Sequence, residues 1–492
     1  MLDALFRPRS VAVIGASRSR ENIGGQVFHN LIAQEFCGPV YAINPNAIDV
    51  QSVPAYASLR DVRGEVDLAV IAVPRPKVMD AIEDCGAKHV PCAIVITAGF
   101  GELGPEGREA QTRLRNRARE LGVRLVGPNC LGVLSTDDSV RLDANFGHAW
   151  PPSGNVSFCS QSGALGLAVL DVARDTGLGL RHFVSVGNKA DVSTNDLLEY
   201  WEHDDATRVI LLYVESFGNP RRFLEIARRV SRKKPIVALK SGRSEAGARA
   251  ASSHTGALAG ADVAIEALLA QAGVVRVGTL EELFDAARLL SSQPVARGRG
   301  VGILTNAGGP AIIAADALTA RGLVVPSLAD TTRKKLRAVL VPEASVANPV
   351  DMVAGARTSD YDAALPSVLG DPSVDAALVV MVPTASASPD ELAPLLARAT
   401  RTGKPVAACV LGECGGGARA ALRVSGKRGR CVCRRRTLRV VSCAPGWRGR
   451  TDVRRPARAF RRQSLARAGG RALACRELRC ALRRSARRTH AR

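Results

Sequence analysis

Pro8-Arg9-Ser10-Val11-Ala12-Val13-Ile14-Gly15-Ala16 is a short apolar run that stops at a glycine, and Ser17-Arg18-Ser19-Arg20-Glu21-Asn22-Ile23-Gly24-Gly25 after it is small, polar and glycine-containing. Val27, Phe28, Leu31 and Ile32 then recur at helical spacing. A buried-strand run that ends in a glycine turn and passes into a helix predicts the first unit of a nucleotide-binding Rossmann layer. The regular Gly-x-Gly-x-x-Gly spacing is absent. The second strand, Val40-Tyr41-Ala42-Ile43, ends in Asn44-Pro45-Asn46. A nicotinamide-binding layer carries an acidic residue there for the ribose, so the pattern speaks against NAD. A glycine turn of this kind also serves packing alone.

Further strands are expected at residues 68–73 and 93–97, with helical patterns between them. The strand at 123–126 runs into Gly127-Pro128-Asn129-Cys130-Leu131-Gly132, a tight turn at the carboxyl edge of the layer. Ligands of open α/β sheets bind at that edge, although Gly, Pro and Asn equally make plain structural turns. A second α/β unit begins near Gly154. Its strand Asn155-Val156-Ser157-Phe158-Cys159 leads into Ser160-Gln161-Ser162-Gly163 and an apolar helix. Free N–H groups and the helix dipole make such a start a phosphate cradle, while a serine there is also an ordinary N-cap. The strand Val209-Ile210-Leu211-Leu212-Tyr213-Val214 ends at Glu215, and Pro235-Ile236-Val237-Ala238-Leu239-Lys240 leads towards Ala251-Ser252-Ser253-His254-Thr255-Gly256-Ala257-Leu258-Ala259-Gly260. Within the five residues before His254 only Arg249 is large, so the imidazole is expected on an open loop, near hydroxyls and backbone that a phosphate can approach. Cradle, carboxylate and histidine are expected to converge at one sheet edge. A third unit follows the linker at 293–300. Its strand Val301-Gly302-Ile303-Leu304-Thr305 meets Asn306-Ala307-Gly308-Gly309-Pro310, with later strands at 376–382 and 406–411. Asn348-Pro349-Val350-Asp351 is expected as a turn without chemistry.

The 492 residues are 46% hydrophobic and only 4% aromatic, a length that suggests about three domains and a composition that favours α/β layers. No apolar window is long enough to span a membrane, and Met1-Leu2-Asp3-Ala4-Leu5-Phe6 lacks the basic and apolar regions of a signal peptide, so the cytoplasm is expected. The net charge of +22 resides in the last stretch: residues 416–492 hold 25 Lys+Arg against 2 Asp+Glu, leaving 43 against 44 before them. That tail has 24 arginines, one lysine (Lys427) and five of the 12 cysteines. It reads as a GC-rich gene translated in a changed frame rather than as a basic arm for nucleic acid. The other cysteines stand singly, without metal-site spacing, as reduced cytosolic thiols do.

Val13-Ile14-Gly15-Ala16-Ser17, Gly127-Pro128-Asn129-Cys130-Leu131-Gly132, Ser160-Gln161-Ser162-Gly163-Ala164, Val186-Gly187-Asn188-Lys189-Ala190-Asp191 and Ser253-His254-Thr255-Gly256-Ala257 resemble, in order and spacing, the NDP-forming acyl-CoA synthetases. The likeness is to the α portion of ADP-forming acetate–CoA ligase, a relative of the succinyl-CoA synthetase α subunit, and it extends over residues 1–413. The resemblance implies a CoA-binding Rossmann domain (1–145), a succinyl-CoA synthetase-like flavodoxin domain with the phosphohistidine loop (150–293) and a second, incomplete flavodoxin-like domain (298–413). Residues 414–492 are expected to be a disordered arginine-rich tail. The implied reaction is acyl-CoA + ADP + phosphate to acid + CoA + ATP, through an acyl phosphate and a phosphohistidine. His254 would be phosphorylated and Glu215 would orient it. Ser160, Gln161, Ser162 and Gly163 would hold the phosphoryl group, and Gly15, Ala16, Ser17, Asn44, Pro45, Val73, Asn129 and Cys130 would lie along CoA. No metal is implied on this chain. ADP or ATP with Mg2+ would be bound by an ATP-grasp partner, as a β subunit or a missing C-terminal module, with a small carboxylic acid or acyl-CoA as substrate, an oligomeric assembly, and neither nucleic acid nor membrane as partner. The rival function is a non-catalytic CoA or acyl-CoA sensor, which retention of His254 disfavours. An NAD-dependent oxidoreductase is disfavoured by Asn44.

Overall fold

The computed structural model describes residues 2–243, 262–399 and 402–411, all within the first of two compact units, Met1–Arg448. Three sheets follow one another along the chain. The first has the order β3-β4-β2-β1-β5-β6-β7, with β1 Val11–Ile14, β2 Val40–Ile43, β3 Asp49–Val50, β4 Val53–Tyr56, β5 Leu68–Ile71, β6 Cys92–Val95 and β7 Arg124–Val126. Only the β3/β4 pair is antiparallel. The strand order reverses at β1, with β2 on one side and β5 on the other, which opens a crevice at the carboxyl ends where helix α2 (Ile23–Ala33) starts.

The second sheet runs β14-β13-β12-β10-β11-β8-β9. Its parallel strands are β10 Ser153–Ser160, β11 Leu180–Ser185, β12 Val209–Val214, β13 Ile236–Lys240 and β14 Val275–Val277. The hairpin β8 Gly132–Ser135 and β9 Leu142–Asn145 adds to it antiparallel through β11. Residues that follow the first Rossmann layer directly are thus hydrogen-bonded into the second sheet, while β9 packs on α2. The third sheet, β16-β15-β17-β18, joins β15 Val301–Thr305, β16 Val350–Asp351, β17 Ala376–Met381 and β18 Val406–Val410, all parallel.

Each sheet is apolar on both faces because helices cover both. One core, including Phe6, Phe28, Trp201 and Phe223, is shared by the first two sheets. The opposite face of the first sheet packs around Ile71, Ile82 and Leu125, and that of the second around Phe158, Phe183 and Leu283. Phe158 and Phe183 stack with ring centroids 5.8 Å apart. The third sheet has its own two cores, one around Tyr361 and Leu365 and the other around Ile303 and Leu318.

The expected turn at Asn348 is a working piece of that third sheet. Val350 and Asp351 pair with Leu304 and Thr305 as an edge strand. Ahead of them Asn348 accepts from the Ile303 amide and donates to the carbonyls of Val301 and Pro326, each at 2.9 Å. One side chain therefore satisfies backbone groups that a longer edge strand would otherwise have covered.

Candidate functional site

Gly15 closes β1 with φ +94°, and a Cβ there would lie 2.5 Å from the Ala72 carbonyl oxygen at the end of β5. Gly24 and Gly25 let the start of α2 approach this turn, since their Cβ atoms would lie 2.0 Å from the Gly15 oxygen and 1.9 Å from the Ser19 oxygen. The irregular glycine spacing thus performs the two tasks of a nucleotide-binding turn, a positive φ and close helix contact. Asn44 ties the second strand to the turn: its amide donates to the Ala16 oxygen at 2.8 Å and its carbonyl accepts from Asn46 at 2.9 Å. Pro45 beside it is exposed. Thr97 donates to the Val73 oxygen at 2.6 Å, and Asn129 N donates to the Thr97 oxygen at 3.0 Å. Gly15, Ala16, Ser17, Asn44, Val73 and Asn129 accordingly stand along one carboxyl edge. Cys130 supports that edge from below. It is buried, its thiol donates to the Val95 oxygen at 3.3 Å, and burial pushes it up to about 12.

The turn at 127–132 then clasps the turn after β11. Asn188 N and Ala190 N donate to the oxygens of Pro128 and Gly127, each at 2.9 Å. Gly187 has no room for a side chain, since a Cβ would meet the Asn129 oxygen at 2.3 Å. Asp191 locks the clasp, receiving Arg119 at 2.7 Å, Arg124 at 2.8 Å and the Leu125 amide at 3.1 Å. Burial raises its carboxyl, but these donors outweigh burial and hold it below the usual range.

On the far side of the clasp lies the carboxyl edge of the second sheet. Helix α5 (Gly163–Thr176) is capped by Ser162, which accepts from Leu165 N at 3.3 Å, and Ser160 donates to the Ser162 oxygen at 2.7 Å. Gln161 points the other way. Its carbonyl accepts from Glu215 N and Ser216 N, each at 2.9 Å, and its amide donates to the Ser216 oxygen at 2.8 Å. The side chain expected on phosphate is therefore committed to holding the Glu215–Ser216 backbone against the cradle.

Lys189 completes the arrangement and carried no role in the sequence. It adopts φ +47°, and its ammonium donates to both the carbonyl and the hydroxyl of Ser216. Burial drives it down to about 8, and the Glu215 carboxylate opposes that shift. Lys240, at the end of β13, is 7% exposed and also pushed down, first by burial and then by Arg276, with Glu215 opposing. A lysine ending an otherwise apolar strand, and one following Gly-Asn after another, were the signals available in the sequence.

His254 lies outside the described residues. The described chain enters that segment beside Glu215, because Val214 pairs with Lys240 and Ser241 N donates to the Val214 oxygen at 3.1 Å. It returns at Asp262, whose carboxylate is paired with Arg276 and acts on Lys240. An apolar cavity of about 110 Å³, lined by Leu289, Pro294, Val301, Leu318 and Leu378 among others, lies elsewhere and has no titratable group. Among the described residues no group of three His, Cys, Asp or Glu side chains could hold a metal ion, and no helix is long and apolar enough to cross a membrane.

Three family models match the chain: a CoA binding domain at residues 9–136, a succinyl-CoA ligase like flavodoxin domain at 153–290 and a Ligase-CoA domain at 301–419. The acetate–CoA ligase [ADP-forming] II subunit alpha of Pyrococcus furiosus is 43% identical over 83% of this chain and 89% of its own length. The acetate–CoA ligase [ADP-forming] of Methanocaldococcus jannaschii is also 43% identical, over 71% of this chain, but this chain spans only 49% of it. Among solved structures, a dinucleotide forming acetyl-coenzyme A synthetase 1 of Ca. Korarchaeum cryptofilum, in complex with phosphate and ADP, superposes with a TM-score of 0.80 at 38% identity. The likeness covers 84% of this chain and 89% of that one.

Proposed function

This chain belongs to the ADP-forming acetate–CoA ligase family of acyl-CoA synthetases, and from that membership we propose that it interconverts acyl-CoA, ADP and phosphate with a carboxylic acid, CoA and ATP. The observation that supports this best is the unbroken run of contacts from the Gly15 turn through Val73, Thr97 and Asn129 to Asn188, Lys189, Ser216 and Gln161. A thioester held on the first edge would present its carbonyl to a phosphate held at the second.

CoA would lie along Gly15, Ala16, Ser17, Asn44, Pro45, Val73 and Asn129, with Cys130 acting through the turn it supports. Ser160, Ser162 and the N-terminus of α5 would hold phosphate, with Gln161 positioning the loop opposite. Attack of a phosphate oxygen on the acyl carbonyl expels the CoA thiolate and gives an acyl phosphate; imidazole attack on phosphorus then releases the carboxylate and leaves a phosphohistidine. Glu215 would hydrogen-bond one imidazole nitrogen of His254, keep the other free as nucleophile and balance the positive ring. Positioning and charge supply most of the rate in such a transfer. The proposed division into functional regions is 1–145, 150–293 and 298–413, with residues 414–492 given no part.

The nucleotide half of the reaction would fall to an ATP-grasp partner, which would also bring Mg2+ with ADP or ATP. The acyl group would be that of a small carboxylic acid, in an oligomeric, cytoplasmic enzyme. The test is activity of the chain mixed with an ATP-grasp β subunit of the family: ADP- and phosphate-dependent release of free acid and CoA from acetyl-CoA supports the proposal, and CoA binding without turnover supports a sensor instead.

A further inference from the structure

Burying an ammonium is costly unless a counter-charge is provided, and a tether to Ser216 alone could be made by a neutral amide. Lys189 nevertheless brings a charge. The groups that act on it are the Cys159 thiol on β10, Glu215 after β12 and Lys240 at the end of β13. Burial pushes Cys159 up to about 12, so it supplies no negative charge. Among the described residues Glu215 is then the carboxylate acting on Lys189, and it acts on Lys240 as well. Asp262 also reaches Lys240, but it is paired with Arg276. Two ammonium groups thus share Glu215, at a sheet edge that also carries the start of α5. Two donors of Lys189 go to Ser216, and among the described residues its third has no partner.

We propose that Lys189 is a phosphate-binding residue of this chain, a fixed cation that receives the transferred phosphoryl group beside the Ser160–Gly163 turn. The inference deepens the proposed reaction and rests on it. Ser216 is the hinge of the geometry: Lys189 holds its carbonyl and hydroxyl, Gln161 holds its amide and carbonyl, and Gln161 sits between the two cradle serines. A dianion in the cradle would bring negative charge to the lysine pair, and the fixed ammonium would offset it in free phosphate and in the acyl phosphate alike.

The test is calorimetric titration of inorganic phosphate into the full chain between pH 7 and 10, for the parent, Lys189→Met, Lys189→Arg and Lys240→Arg. Phosphate is already a dianion above pH 8, so a further loss of affinity reports the protein. The parent should weaken above about pH 8, where the Lys189 ammonium gives up its proton. Lys189→Arg should bind phosphate without that decline, Lys240→Arg should keep it, and Lys189→Met should bind roughly 10- to 100-fold more weakly. Should Lys189→Met fail to fold, the parent and the arginine variants decide. No phosphate binding by the parent, an equal affinity in folded Lys189→Met, or a decline that disappears with Lys240→Arg would overturn the proposal. Lys189-dependent phosphate binding without phosphoryl transfer to the protein would sink the proposed reaction and leave this site standing. Transfer with phosphate affinity indifferent to Lys189 would do the reverse.

Discussion

Replacing Gln161 with leucine removes a clasp whose energetic worth follows from its partners. The side chain accepts from the amides of Glu215 and Ser216 at 2.9 Å each and donates to the Ser216 carbonyl at 2.8 Å. Gln161 is 8% exposed, whereas Glu215 and Ser216 are half-buried, so the orphaned amides regain some water. Taking about 1 kcal/mol for each lost bond, the low end of the range for buried groups, the loop should be freed by about 3 kcal/mol. That is roughly a 150-fold rise in local opening. Hydrogen exchange followed by mass spectrometry on a peptide covering residues 209–219 reads this directly. The amides of Glu215 and Ser216 should exchange roughly 100-fold faster in Gln161→Leu, with little change in peptides of the third sheet. Parental exchange rates at 215–216 would refute the clasp, and global acceleration would mean that the side chain holds the domain rather than the loop.

Gly24→Ala would set a Cβ 2.0 Å from the Gly15 oxygen, which costs about 1–3 kcal/mol of overpacking and moves α2 off the turn. CoA affinity by calorimetry should fall at least about tenfold, and unchanged affinity would remove that turn from the CoA site. Glu215→Gln should keep the fold and slow phosphorylation of the protein by roughly 10- to 1,000-fold, because a neutral amide does not balance an imidazolium; a parental rate would exclude the carboxylate. Burial raises the Asp371 carboxyl, but the hydroxyls of Ser373 and Thr332 and the amides of Ser373 and Ala329 outweigh it and hold it at about 2. Because the folded value lies below the unfolded one, its stabilisation of about 2 kcal/mol is present above about pH 4 and lost as pH falls through about 2. Asp371→Asn should therefore weaken the third sheet towards urea at pH 7 and cost progressively less as the acid range is entered; a penalty independent of pH would contradict this.

The strands were legible because buried parallel strands write themselves as short apolar runs between turns, and β1, β2, β10 and β15 fall where those runs lie. The carboxyl edges were legible for the same reason, since glycine and serine follow the runs directly. Side-chain direction was not. Gln161 sits in a phosphate-type turn, yet its amide reaches back to Ser216 because the end of β12 lies alongside β10, a neighbour 55 residues away that no local pattern names. Lys189 was hidden similarly: a lysine after Gly187-Asn188 looks like a solvated turn residue until Ser216 is brought to its ammonium. The hairpin at 132–145 reads as a continuation of the first layer, and only the antiparallel pairing of Leu134 with Phe183 carries it into the second. Asn348 shows the same limit, since a turn signal before proline conceals three bonds to backbone 22 to 47 residues distant.

Phosphoryl transfer to His254 is the step on which the proposed chemistry depends. The full chain is incubated with ³²P-labelled acetyl phosphate, or with labelled ATP and an ATP-grasp subunit, and the label is mapped by peptide analysis. An acid-labile, base-stable label is expected on His254 and should vanish in His254→Ala, because a phosphoryl–nitrogen bond to imidazole breaks in acid and the substitution removes the nucleophile. Label that persists at a parental level in folded His254→Ala would contradict that chemistry.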